Sequence, residues 1–263
     1  MARSITYVIL ISACGLLWAI TRPGPSLTGL YSGLAVGLAV PLTDSLLENR
    51  RYLRLLWYAV RWRGRLVRVS ASYLFRIKLG DRYLLVRGRR FAQYQPVGGV
   101  FKISPDARGL LNQIRALDDD LVPIDEVSQD DLRIRLPAMN LVRFVRWFES
   151  GMSRETSPWR EFCEELVRPG LVPADLFPYI QHNFIRRMIG PMHYSARAQS
   201  LEIFIADIHE LIPNPEQQAV LRELMASGNP DVVATTEDQI RRLGAVPGRA
   251  QEFRIAESAG WIL

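Results

Sequence analysis

Between Ser26 and Leu42 the chain carries no charged residue, and from Ile5 to Ile20 it is almost wholly apolar. Two such stretches in succession leave few folds open. A soluble domain can bury one apolar helix, but a pair separated only by Arg22-Pro23-Gly24-Pro25 predicts a hairpin of bilayer-crossing helices. Each stretch is at the short end for a hydrocarbon core of roughly 30 Å, so flanking residues such as Thr43 to Leu47 have to contribute. A signal peptide would account for the first stretch alone. It leaves the second unexplained, and no clear small-x-small cleavage site follows the first.

Charge sets the orientation. Arg50, Arg51, Arg54, Arg61, Arg63, Arg65 and Arg68 lie just after the second span, whereas the hairpin loop holds only Arg22. The positive-inside rule then predicts a multi-pass membrane protein with both termini cytoplasmic. Residues 1–90 carry 15 Lys and Arg against 3 Asp and Glu, while the remainder carries 18 against 24. The basicity therefore belongs to the membrane-proximal third and points to a lipid bilayer as partner, not to a DNA or RNA polymer. Trp57, Tyr58 and Trp62 interleave with the arginines as an interfacial belt. In the second span Gly29, Gly33 and Gly37 form a stripe of small residues four apart. Such a stripe serves either association of copies into a homo-oligomer or close packing against the first span. No charge sits mid-span, so no polar ion pathway is built in. Cys14 and Cys163 lie in unrelated contexts without metal-ligand spacing, which predicts free thiols in a reducing compartment.

We divide the chain into a hairpin over 1–47, a basic connector helix over 48–67 and a cytoplasmic domain over 68–263. Val67–Lys78 and Arg82–Arg87 read as strands about a Leu79-Gly80-Asp81 turn, and Gln95–Ile103 as a third carrying Gly98-Gly99. Two adjacent glycines let backbone approach a phosphate or a metal, or mark an ordinary bulge. From Ser104 the pattern predicts a helix through about Leu117, a short strand over Asp131–Leu136 and a helix over Ala138–Phe148 with Leu141, Phe144, Val145 and Phe148 on one stripe. Ser157-Pro158 then starts a helix that places Glu161, Glu164 and Glu165 at i, i+3 and i+4 on one face, with Phe162 and Leu166 turned inward. Converging carboxylates suit Mg²⁺ or Mn²⁺, or else form a solvated acidic face. Further along, Leu201–Asp207 reads as a strand, Pro215–Ser227 as an amphipathic helix, Thr235–Ile240 as a capped helix start and Ile255–Leu263 as an apolar tail.

Arg160-Glu161-Phe162-Cys163-Glu164-Glu165 resembles the second half of the Nudix box, and Gln95-Pro96-Val97-Gly98-Gly99 resembles the strand end that precedes it. The hairpin Ser72–Arg87 is similar to the opening of Nudix domains. Together with Arg133-Ile134-Arg135-Leu136 and Ser153–Leu166, these segments look like the two-transmembrane proteins that carry the SMODS-associated Nudix domain. Those proteins belong to bacterial anti-phage (CBASS) systems signalling through cyclic oligonucleotides. The fold the resemblance implies is α/β: an α+β Nudix sandwich, with a mixed sheet between helices and an insertion at about 104–151, preceded by the membrane hairpin. The implied function is that of a membrane effector, in which the Nudix-like domain senses a nucleotide second messenger and the spans oligomerise and disrupt the membrane. The alternative is a membrane-tethered hydrolase of nucleoside diphosphate-linked substrates, with Mg²⁺ held by Glu161, Glu164 and Glu165. Glu155 and Glu164 are then the catalytic candidates, with Glu149 a second candidate base. A non-catalytic scaffold is a third reading. Gly98, Gly99, Arg87, His193, Tyr194 and Arg197 are the candidate ligand contacts. The box is rebuilt upstream: its glycine position holds Arg146, its first glutamate position holds Met152, and Val167 stands where a glycine is expected.

Overall fold

The computed structural model describes residues 2–21, 24–89, 91–119, 121, 130–196, 198–248, 251 and 253–263. These form two compact units: residues 1–64 with 138–142, and residues 65–137 with 143–263.

The first unit opens with α1 (Ala2–Thr21) and α2 (Pro25–Glu48), which pack side by side. The less exposed positions of α2 include Thr28, Tyr31, Ala35, Leu38, Leu42 and Ser45, a row spaced alternately three and four apart, with Pro41 and Leu46 beside it. That spacing keeps one seam facing a neighbouring helix, and on α1 the matching positions are Tyr7, Ile11 and Cys14. The glycine stripe is not in this seam. A side chain added at Gly29, Gly33 or Gly37 would meet nothing within 4 Å, and helical geometry puts the three roughly opposite the seam. The stripe therefore does not pack against α1. Among the described residues one helix is long and apolar enough to cross a membrane, Thr28–Glu48; Thr6–Ile20 is a shorter apolar helix. Asn49 closes α2, its side-chain Nδ2 donating to the Ser45 carbonyl at 2.7 Å, and α3 (Arg50–Arg61) begins at the next residue. Leu55, Tyr58 and Ala59 of α3 are buried, and the helix packs on the turn at Ala138–Asn140. Tyr58 therefore faces inward and is not part of an interfacial belt.

The second unit is built on β1 (Leu66–Arg76). It carries buried residues on both faces, as a strand covered on both sides does. The connecting elements are β2 (Lys78–Leu79), β3 (Arg82–Arg87), β4 (Tyr94–Gln95), β5 (Gly98–Val100), α4 (Arg108–Gln113), β6 (Leu117–Asp118), β7 (Arg133–Pro137), α5 (Leu141–Ser150), α6 (Trp159–Phe162), β8 (His182–Ile189), β9 (His193–Ser195), β10 (Ser200–Leu211), α7 (Pro215–Ala226), β11 (Val232–Thr236) and α8 (Glu237–Arg241). One sheet runs β6-β7-β1-β10-β8, with β5 added to β1 and β9 to β10; a smaller one runs β11-β3-β2, with β4 on β3. The β1–β10 pair is parallel and the other named pairs are antiparallel, so the larger sheet is mixed. β1 and the hairpin partner β3 thus fall in different sheets, the chain crossing between them at Ile77.

Alternation along β3 sends its side chains into two different core clusters. Leu84 and Val86 join Phe75, Ile77, Phe162, Leu166, Phe177 and Leu221 on one side. Tyr83 and Leu85 join Leu74, Ile208, Ile240, Ile255 and Ile262 on the other. The apolar tail forms that second core through a 3₁₀ segment, Glu257–Ile262. The helix expected over Ser104–Leu117 is shorter, ending at Gln113, because Leu117–Asp118 pairs with β7 instead. The stripe of α5 is buried as its spacing predicts, with Leu141, Phe144, Val145 and Phe148 all at 1% exposure or less. Phe162→Ala is expected to cost about 3–5 kcal/mol, because the ring is fully buried between Phe75 and Phe177. Thermal unfolding of the chain in detergent should show a midpoint lower by roughly 10 °C.

Candidate functional site

The site forms where β5 meets the helix that starts at Trp159. β5 pairs with β1 so that Tyr73 stands opposite Gly99 and Leu74 opposite Gly98. Gly98 has φ +150°, and a Cβ there would collide with the Tyr73 carbonyl. Only glycine fits, and the strand thereby aims the Gly98 N–H at Glu165 Oε2, 2.9 Å away. Gly99 has another reason: a side chain would occupy the space that the Glu161 carboxylate fills. The two glycines bring backbone against two carboxylates of the helix.

That helix is not a plain α-helix. After Trp159–Phe162 it widens into a π turn over Cys163–Val167, closed by the Arg168 N–H donating to the Cys163 carbonyl at 2.7 Å. The wider turn buries Phe162, Glu164 and Leu166 together, which the 3.6-residue spacing does not predict. Ser157 Oγ accepts from the Trp159 N–H at 3.3 Å.

Arg160 stands at the centre. Its Nε and Nη2 donate to the two oxygens of Glu155 at 3.1 and 3.0 Å. Its Nη1 donates to Glu161 at 2.7 Å and to Glu164 at 3.3 Å. Nη2 also reaches the Val100 carbonyl at 3.0 Å and the Tyr73 hydroxyl at 3.4 Å. Glu155 further accepts from the Lys102 N–H and the Tyr73 hydroxyl, so both its oxygens are engaged and it is poorly placed as a free base. Beside the cluster Asp131 is paired with Lys102 at 2.8 Å and Arg133 at 3.1 Å, and Arg89 donates to the Glu164 carbonyl at 2.7 Å.

The electrostatics follow from burial. Burial raises the Glu161 carboxyl, against the pull of Arg160. Burial pushes Glu165 up to about 8, partly offset by the Gly98 N–H, so near neutrality this carboxyl holds a proton. Burial would depress Arg160, but the Glu155 hydrogen bond and the Glu161 charge outweigh it and hold the guanidinium firmly charged. Burial and then Glu155 raise the Tyr73 phenol, which stays a donor.

As arranged, this donor set does not fit a divalent cation. Arg160 already occupies one oxygen each of Glu161 and Glu164, Glu165 is turned to the Gly98 N–H, and among the described residues no three His, Cys, Asp or Glu side chains are grouped to hold a metal. The remaining candidates lie elsewhere. His193 and Tyr194 are exposed on β9, whose partners Leu201 and Glu202 lie opposite Val67 and Arg68 of β1, five residues from the Gly99 pairing. At ~3.3 Å per residue that is roughly 16 Å along the sheet. There His193 approaches Glu202, itself bound to the buried Arg68, which also pairs with Asp119 at 2.7 Å. Arg87 is exposed on β3 in the smaller sheet. Glu149 is half-buried on α5. Arg197 lies outside the described residues.

Two features escaped the sequence. Arg160 spans β1, β5 and the preceding loop as well as its own helix. Beyond it, Asp207 and His209, two apart on β10, point to one side and carry a second polar network. Arg187 forks onto Asp207 at 2.5 and 2.7 Å. Arg154 stacks on Phe101 and Phe148, its guanidinium lowered to about 10 by burial. His209 Nδ1 lies 3.1 Å from His182 Nδ1, and burial together with the neighbouring ring lowers His209 to about 4. Polar residues at period two inside an apolar strand were the available signal.

The family model for the SMODS-associated NUDIX domain matches residues 66–263. The chain belongs to that family. No curated protein and no solved structure matches it.

Gly98→Ala should lower stability by on the order of 2–3 kcal/mol, since backbone would have to shift. Gly99→Ala, which displaces only a side-chain end, should leave the melting temperature within a few degrees. Glu165 supplies a pH test. Its folded pKa is raised, so its contribution to stability is full below about pH 4.5 and is lost as pH rises through about 8. Melting temperatures of the wild type should therefore fall from pH 5 to 8.5 relative to Glu165→Gln; parallel curves would show that the carboxyl is ionised throughout.

Proposed function

We propose that this protein is a membrane-embedded effector of a bacterial anti-phage system of the CBASS type. Its Nudix-like domain binds a nucleotide second messenger, a cyclic oligonucleotide, and the N-terminal helices, crossing the inner membrane as a pair, respond by associating and disrupting the bilayer. Membership of the SMODS-associated family supports the signalling context, and the candidate span Thr28–Glu48 supports the membrane location.

The observation that carries sensing over hydrolysis is Arg160. Hydrolysis by a metal-bound water needs carboxylates free to hold the cation, and here Glu155, Glu161 and Glu164 are all bonded to one guanidinium. A closed cluster of this kind can recognise a phosphate-bearing ligand through the surrounding basic and backbone donors without turning it over. Magnesium would be held by Glu161 and Glu164 only after Arg160 moved away. The outward glycine stripe supports the response, because Gly29, Gly33 and Gly37 offer a close-approach surface that α1 leaves uncovered. Ligand binding drives assembly to the extent that it favours the associated state.

Calorimetry of the chain in detergent against a panel of cyclic oligonucleotides, with and without Mg²⁺, should detect micromolar or tighter binding of one of them with the ligand recovered intact. Mg²⁺-dependent product release that Glu164→Gln abolishes would overturn this in favour of a tethered hydrolase. In cells, the signal should collapse membrane potential in the wild type, and Gly33→Leu should prevent the collapse while ligand affinity stays within about twofold. Collapse that persists in Gly33→Leu would show that the stripe is not the associating face.

A further inference from the structure

α3 follows the candidate span after a single residue. Its inner face, Leu55, Tyr58 and Ala59, is buried on the Ala138–Asn140 turn. Its other face is apolar as well. Leu53, Leu56, Trp57 and Val60 fall at i, i+3, i+4 and i+7, one stripe of a helix. They are 38%, 37%, 58% and 74% exposed. By the same geometry Arg50, Arg54 and Arg61 line one flank of that stripe, and all three are exposed. Arg61 lies over the Trp62 ring at 4.4 Å, and Arg51 over Tyr52 at 5.2 Å. From Asn49 through Gly80 the chain has no acidic residue.

Water is a poor solvent for four adjacent large apolar side chains, and a monomeric surface seldom displays them together. A stripe of this composition beside arginines matches the boundary between acyl chains and anionic headgroups. The apolar side chains sink a few ångströms below the phosphates while the guanidinium groups pair with them. Position argues for the same occupant. With Thr28–Glu48 crossing the bilayer, a helix that starts at Arg50 emerges at its surface.

We propose that α3 is an in-plane lipid-binding helix that docks the Leu53–Leu56–Trp57–Val60 face into a bilayer rich in anionic phospholipid. It is a membrane contact separate from the spans and sensitive to headgroup charge. The inference rests on the membrane location proposed above, and the two can fail independently.

The test places the full chain in nanodiscs of phosphatidylcholine alone or mixed with phosphatidylglycerol. Trp57 is one of six tryptophans, so its emission is isolated as the difference between the wild type and Trp57→Phe. In phosphatidylglycerol discs that difference signal should be blue-shifted, quenched by brominated acyl chains and at least threefold less accessible to iodide than in phosphatidylcholine discs. Arg50→Gln with Arg61→Gln should remove most of the dependence on headgroup charge. All three substituted positions are at the surface, so these variants keep the fold, and an unchanged melting temperature checks it. Trp57 open to iodide in both discs would overturn the proposal. So would Trp57 shielded from iodide yet untouched by brominated lipid, since a protein surface would then cover the stripe. Carbonate extraction of membranes reads the spans separately. A chain that is released by carbonate but still binds phosphatidylglycerol vesicles through Trp57 would sink the spanning hairpin and leave this inference standing.

Discussion

One guanidinium organises the candidate site. Arg160 has five N–H donors in a fixed plane, and it spends them on a loop carboxylate, two carboxylates of its own helix, a carbonyl of β5 and the hydroxyl of a β1 tyrosine. The strand, the loop and the helix are joined by this side chain as much as by their apolar contacts. Three half-buried or buried carboxylates within reach of each other would repel at neutral pH. A single cation between them changes that repulsion into attraction, and the geometry is over-determined enough to hold the side chain in one place. Taking the cation away would leave several uncompensated charges in a partly dry setting, which costs far more than any one hydrogen bond contributes. A lysine would carry the charge without the fork and could not reach four elements at once.

The glycines of β5 are a consequence of that arrangement. Gly98 turns its N–H to a carboxyl that holds a proton near neutrality, and Gly99 yields its side-chain volume to Glu161. Three acidic residues of one short helix thus meet three different environments: Glu161 under a guanidinium, Glu164 buried beside it, Glu165 against a backbone amide. The second network is tied in through Arg154, whose Nη1 donates to the Glu155 carbonyl at 2.8 Å while its own ring contacts lie on Phe101 and Phe148. A neutral histidine pair and an arginine–aspartate fork there satisfy polar groups that β10 would otherwise bury unpaired.

Much of this was legible in the sequence because it is local. The stripe of α5, the inward Phe162 and Leu166 and the capped helix start at Thr236 each follow from residues a few positions apart. What was not legible depends on distant pairing. β1 and β10 run parallel with Arg68 opposite Glu202, partners 134 residues apart, and no local pattern announces such a register. β8 alternates too weakly between exposed and half-buried positions to read as a strand. His193 and Tyr194 looked like ligand contacts by residue type, yet their strand pairs at the far end of β10. The π turn was hidden for another reason. It changes the angular spacing by accommodating one more residue in a turn, and the choice between α and π is made by what Glu164 and Leu166 pack against, not by their own propensities.

The glycine stripe shows where spacing alone stops and structure continues. Gly29, Gly33 and Gly37 read identically whether they face α1 or the outside, because both uses need small residues four apart. The helix answers by using a different set, Thr28 through Ser45 at alternating three and four, for its intramolecular seam. Lipid tails solvate leucine as well as glycine, so nothing in a monomer rewards an outward row without side chains. Such a row lowers helix propensity by about 1 kcal/mol per glycine in water. The close approach of another backbone is what physical reasoning offers as compensation, which is why the outward stripe bears on the proposed assembly and not on the fold of one chain.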